Sequence, residues 1–112
     1  MPYRQARVGE NEALFRSVNE TVAAAAASVS GAIDFLCECG RQSCAEGISL
    51  TRAEYEHVRA DPERFFVRPN HNRPAIERVV EEHPGYWVVE KFGEAGEVAR
   101  ETDPRSDNGR SR

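Results

Sequence analysis

Cys37, Cys39 and Cys44 stand within eight consecutive residues, Cys37-Glu38-Cys39-Gly40-Arg41-Gln42-Ser43-Cys44, and are the only cysteines of the 112-residue chain. Thiolates are soft ligands, and zinc takes four nitrogen or sulfur ligands in a tetrahedron at about 2.0–2.3 Å. Cys37 and Cys39, one residue apart, share a side of an extended strand, because side chains alternate. Gly40 lets the backbone turn, and the four residues after Cys39 suffice to return Cys44 to the same point. Amides of that turn, those of Gly40 and Arg41 included, can bond the sulfurs and spread their charge. The fourth ligand must come from a distance. His71, in Pro69-Asn70-His71-Asn72-Arg73-Pro74, sits in a loop between two prolines and follows an apolar segment. His57, His83, Glu46 or a water are the other candidates. The predicted ligand set for Zn2+ is therefore Cys37, Cys39, Cys44 and His71.

Two other uses of the thiols remain open beside this one. As a redox sensor, the cluster would employ Arg41 to lower a thiol pKa, with Cys37 attacking and Cys39 or Cys44 resolving. As buried small hydrophobes the three would need no ligand at all. A catalytic zinc with three protein ligands and a bound water is a further variant, the chemistry of a small zinc hydrolase. The chain carries no glycine-rich phosphate loop and no zinc-protease helix motif. Glu81, Glu82 and Glu90 read as a solvated strand face, so no catalytic residue is assigned.

The elements that would position these residues follow from pattern. Leu14, Phe15, Val18, Val22, Ala25, Ala26 and Val29 recur at spacings of three and four, which predicts a helix over 9–29 with that stripe facing inward. Its alanine run, Ala23–Ala27, favours helix but offers little to bury. A homodimer through this face is compatible with the pattern. Ile33–Cys37 and Gly47–Leu50 read as two strands of a hairpin whose turn carries the thiols. Thr51-Arg52-Ala53-Glu54 is a capping box opening a short helix through Arg59. Arg64–Arg68 is a third strand. Residues 74–83 fit either a helical face or a strand; the β-branched pair Val79-Val80 favours Arg78–Glu82 pairing with Tyr86–Lys91 across His83-Pro84-Gly85. Trp87 belongs to the core on one face of that strand. The pattern weakens from Gly93, and Thr102–Arg112 reads as a disordered tail. The expected architecture is α+β: an N-terminal helix packed on a small antiparallel sheet with a zinc-stabilised cysteine hairpin, as a single domain over 1–101 followed by the tail 102–112.

Composition narrows the function classes. Hydrophobic residues make up 39% and charged residues 30%, and the net charge is −4, with no strongly basic segment to track a phosphate backbone. Nucleic acid is therefore not the expected partner; a protein is. No apolar stretch approaches the length of a membrane span. The opening Met1-Pro2-Tyr3-Arg4-Gln5 lacks a hydrophobic signal region, and an odd number of cysteines cannot complete an internal disulfide framework, so a cytoplasmic setting is expected.

Phe35-Leu36-Cys37-Glu38-Cys39-Gly40, then Cys44, then Leu50-Thr51-Arg52-Ala53-Glu54-Tyr55, then His71 and Tyr86-Trp87-Val88-Val89-Glu90-Lys91, resemble a family of small actinobacterial proteins of unassigned activity. The resemblance spans most of residues 4–101. It implies an intracellular bacterial setting and a metal-binding loop, and carries over no substrate or catalytic residue. The function expected is a small zinc-binding module acting through protein contacts, with thiol-based redox sensing as the alternative.

Overall fold

The structure, a computed structural model, describes residues 2–105. Its elements run α1 (Pro2–Ala25), β1 (Ala32–Leu36), β2 (Gly47–Thr51), α2 (Arg52–Arg59), β3 (Arg64–Val67), β4 (Glu77–His83), β5 (Tyr86–Lys91) and α3 (Gly93–Glu101). The class is α+β, with an N-terminal helix and antiparallel sheets, as the sequence predicts. There are two sheets rather than one: a β1–β2 hairpin, and a three-stranded sheet in the order β3-β5-β4.

In the first hairpin Ile33 faces Leu50 and Phe35 faces Ile48, so the apolar residues of both strands share one face. All four are buried, while Asp34 and Ser49 pair with each other on the outer face. Thr51 ends β2 and caps α2: its hydroxyl accepts from the Glu54 N–H, and its own N–H donates to the Glu54 carboxylate. The ambiguous 74–83 stretch is strand. β4 pairs with β5 across Pro84-Gly85, with an irregular register between Val79 and Glu81. Trp87 is half-buried and packs against the core. The sheets and α2 meet where Phe35 stacks on Tyr55 with ring centroids 4.5 Å apart, and Phe66 approaches both rings edge-on. Such pairs contribute about 0.5–1.5 kcal/mol beyond their buried area.

Two expectations need correction. First, α1 spans Pro2–Ala25 rather than 9–29, and of the expected stripe Val22 and Ala26 pack against the core while the fully buried positions of the helix lie elsewhere. Leu14 is 57% exposed, and Val29, beyond the helix end, 50%, whereas Glu12, Arg16, Asn19 and Ala23 are buried. These four also follow helical spacing, so periodicity offers two faces. The polar face is chosen because distant partners satisfy it. The Glu12 carboxylate accepts from Lys91, which also pairs with Glu77. Arg16 donates to the carbonyls of Pro62 and Ala99 and to the Thr102 hydroxyl. Asn19 exchanges bonds with both backbone groups of Leu36 and donates to Glu38. An unpaired buried polar group costs about 1–3 kcal/mol, and this set escapes most of that penalty by pairing, with Arg16 Nε alone of these groups buried without a hydrogen-bond partner.

Second, the chain after Gly93 is not patternless: it forms α3. Its Gly93 and Gly96 depress helix propensity and hide the element from a sequence reading. Gly96 is there for space, since a Cβ at that position would lie 3.3 Å from the Lys91 carbonyl oxygen. Beyond α3, Arg105 forks between Glu20 on α1 and Glu56 on α2 at 3.0–3.1 Å. The first residues of the expected disordered tail thus dock on the helices, and residues 106–112 of it lie outside the described residues. Among the described residues, no helix is long and apolar enough to cross a membrane.

Candidate metal centre

β1 delivers Cys37 and Cys39. The Cys37 N–H donates to the Glu46 carbonyl, extending the hairpin ladder, and the Glu38 N–H donates to the Phe66 carbonyl, holding this stretch beside β3. Gly40, at φ 80°, then turns the chain through a conformation that favours glycine. Cys44 returns with its N–H on the Arg41 carbonyl. β3 points the following loop at the same place. Asn70 adopts φ 71°, and the His71 N–H closes a turn on the Arg68 carbonyl.

Cys37, Cys39, Cys44 and His71 thereby converge, with one donor atom from each lying within 4.8 Å of the others. His71 Nδ1 is 3.6 Å from both Cys37 Sγ and Cys44 Sγ. Edges of roughly 3.5–3.8 Å are what a tetrahedron with zinc-like bond lengths requires. The three cysteines are 1%, 1% and 8% exposed, and His71 is half-buried. None is in a disulfide. The cluster is geometrically suited to binding a metal.

Its electrostatics suit a cation as well. The Arg68 N–H donates to Cys37 Sγ at 3.2 Å. Cys39 is held far below an ordinary thiol, first by a hydrogen bond from the Cys37 thiol and then by the Arg41 N–H and His71. Cys37 is pushed up because it keeps the proton it shares with Cys39, and because it is buried. Burial, followed by its contacts with Cys39, also raises Cys44, although the Glu46 N–H bonds its sulfur. Three thiols this close cannot all ionise alone; a bound divalent cation would take the place of their protons. The expected amide donation is thus present from Arg41.

A surrounding layer fixes these ligands. The Arg41 guanidinium donates to the His71 carbonyl at 3.1 Å, and Arg73 Nε donates to the Cys39 carbonyl at 3.1 Å. Asn11 of α1 reaches the Gly40 carbonyl at 3.0 Å. Glu38 alternates away from Cys37 and Cys39 and so points into the core, where it is 0% exposed. Arg59 of α2 grips its two oxygens at 2.6 and 2.9 Å, Asn19 donates at 2.8 Å, and the Phe66 N–H at 3.2 Å. The Arg59 guanidinium also lies over the Tyr55 and Phe66 rings. Sequence reading missed Glu38 and Arg59. The available signal was strand alternation, which forces the residue between two inward thiols to the opposite face.

The other candidate ligands lie elsewhere. His57 Nε2 and His83 Nε2 meet the two oxygens of Glu81 at 2.7 and 2.9 Å, so their imidazoles are committed to a half-buried carboxylate at the surface. Those contacts, His83 first, lower the Glu81 pKa. Glu46 turns its carboxylate to Arg68 at 3.3 Å. Comparisons with known proteins return no match: no family model, no curated protein and no solved structure is similar to this chain.

Proposed function

We propose that Cys37, Cys39, Cys44 and His71 hold a structural Zn2+ and that the protein is a small cytoplasmic module acting through protein contacts, within the actinobacterial family its sequence resembles. The observation that carries the metal assignment is the convergence of three buried thiols and an imidazole nitrogen at tetrahedron-edge spacing. Sulfur-rich sets of this kind select zinc over magnesium or calcium. When bound, Zn2+ supplies a cross-link between the β1–β2 hairpin and the His71 loop, and four protein ligands leave it no position for a substrate. A binding or regulatory role follows from that closure better than catalysis does. The exposed Leu14 on α1 and Val29 just beyond its end offer apolar contact points for a partner protein or a second copy.

The alternative is thiol-based sensing, in which oxidation of the cluster releases the metal. Exposing the zinc-loaded protein to mild peroxide in the presence of a chromogenic chelator separates the two. A structural site retains its metal over hours, while rapid release that thiol reductant reverses establishes the sensor. Light scattering adds the oligomeric state: a dimer that Leu14→Glu converts to monomer places the contact on α1.

A further inference from the structure

Away from the metal cluster, a cavity of about 580 Å³ opens between α1, β3 and α3. That volume falls in the range of small-molecule sites, about 300–1,000 Å³. Phe65, Ile76, Phe92 and Val98 give it apolar walls, and none of the four metal ligands lines it. Phe92 and Val98 are 42% and 41% exposed, so two of the four large hydrophobic side chains exposed among the described residues gather at this one mouth. Among the described residues, the charged side chains lining the cavity are all carboxylates: Glu12, Glu94, Glu97 and Glu101. The last three stand at spacings of three and four on α3, along one side of the opening.

Glu12 differs from the other three because it is 4% exposed. Its Oε2 accepts from Lys91 Nζ, and that ammonium is shared with Glu77, so two carboxylates meet one cation behind the wall. Arg16 is near, 4.7 Å over the Phe65 ring; its Nη donors go to the Pro62 and Ala99 carbonyls and the Thr102 hydroxyl, and its Nε is buried without a hydrogen-bond partner. Burial outweighs the attraction of Lys91 and raises the Glu12 pKa to about 7. A buried carboxylate at the back of an apolar-walled cavity is the combination that small-molecule sites use to fix orientation.

We infer that this cavity binds a small amphipathic cation, an apolar body of several carbons carrying a protonated amine, with the amine on Glu12 and the body against Phe65, Ile76, Phe92 and Val98. Four lining carboxylates repel a fatty acid or other anion. A neutral apolar molecule fills the walls but adds no partner for Glu94, Glu97 and Glu101, and leaves Glu12 with Lys91 alone. On binding, the ammonium stays protonated, Glu12 gives up any proton it holds to solvent, and the pair forms inside the cavity.

The test is calorimetric titration of the full-length, metal-loaded protein with n-octylammonium, octanol and octanoate, each below its aggregation concentration. Saturable 1:1 binding of n-octylammonium is expected, at least tenfold tighter than octanol, with no saturable octanoate binding. Glu12→Gln, which removes the charge, and Val98→Trp, which fills the mouth, should each weaken n-octylammonium at least tenfold. Metal content and Tm confirm that each variant is folded. Equal affinity for octanol and n-octylammonium overturns the charge assignment. Binding untouched by Val98→Trp, or exceeding one equivalent without saturation, overturns the site.

Discussion

The cysteine hairpin and the inner face of α1 both bury polar groups, but they satisfy them over different distances. In the hairpin three candidate ligands fall within eight residues and the fourth follows 27 residues after Cys44. On α1 the partners are remote: Lys91 is 79 residues from Glu12, and Thr102 is 86 from Arg16. A metal site can gather ligands locally because one ion satisfies all four. A helix face carrying a carboxylate, a guanidinium and an amide needs a separate, complementary surface for each. The two regions meet at Glu38, which lies between Cys37 and Cys39 in sequence and accepts from Asn19 of α1 in space.

That meeting point is where substitution should do most damage outside the ligands themselves. Glu38→Ala strands the Arg59 guanidinium, whose side chain is 2% exposed, and should destabilise by about 3–5 kcal/mol in chemical denaturation. Metal affinity should fall roughly 10–100-fold, the usual range for lost supporting contacts. A variant losing less than about 1 kcal/mol would separate the hairpin from the helix energetically.

Next in size is a pH effect confined to α1. Glu12 has a folded-state pKa of about 7 against an ordinary value of 4.5, because burial outweighs the attraction of Lys91 and Arg73 and adds to repulsion by Glu77. Below 4.5 the group contributes nothing, since both states are protonated. As pH rises from 4.5 to 7 the unfolded chain releases its proton first, so stability falls across that window and stays lower above it. The loss amounts to as much as about 3 kcal/mol. Glu12→Gln should therefore show a flatter stability profile between pH 5 and 8 than the wild type; parallel profiles would contradict the raised value.

Asn19→Leu distinguishes the two candidate faces of α1. If the apolar stripe faced inward, a leucine here would be harmless on the outside. With Asn19 at 0% exposure and bonded to both backbone groups of Leu36, it should instead cost about 2 kcal/mol. Leu14→Glu is the smallest effect: a residue 57% exposed should change monomer stability by no more than about 0.5 kcal/mol. A loss of several kcal/mol there would mean that Leu14 is covered.

The legible parts of the sequence were those whose determinants are close together. The β1–β2 hairpin, the Thr51 capping box, β3 and the β4–β5 hairpin each depend on residues within a few positions of one another. The Cys37–Cys39–Cys44 set was legible for the same reason, and His71 because prolines at 69 and 74 frame a loop after a strand. The inward face of α1 was not legible. Leu14, Val18 and Val22 repeat as regularly as Glu12, Arg16 and Asn19, and only the sheet at Lys91 and the strand end at Leu36 decide between them. α3 was hidden by Gly93 and Gly96: Gly93 opens it at φ 59°, a conformation that favours glycine, and Gly96 packs under the Lys91 carbonyl.

The most direct measurement is metal content by elemental analysis of gently purified protein, with Cys39→Ser and His71→Ala alongside, each followed through thermal unfolding. One zinc per wild-type chain is expected, lost in both variants together with a cooperative transition, because metal binding at a four-ligand site is folding free energy. Freshly reduced wild type that holds no metal and still unfolds cooperatively would contradict the structural zinc and bring the thiol chemistry of Cys37, Cys39 and Cys44 to the front.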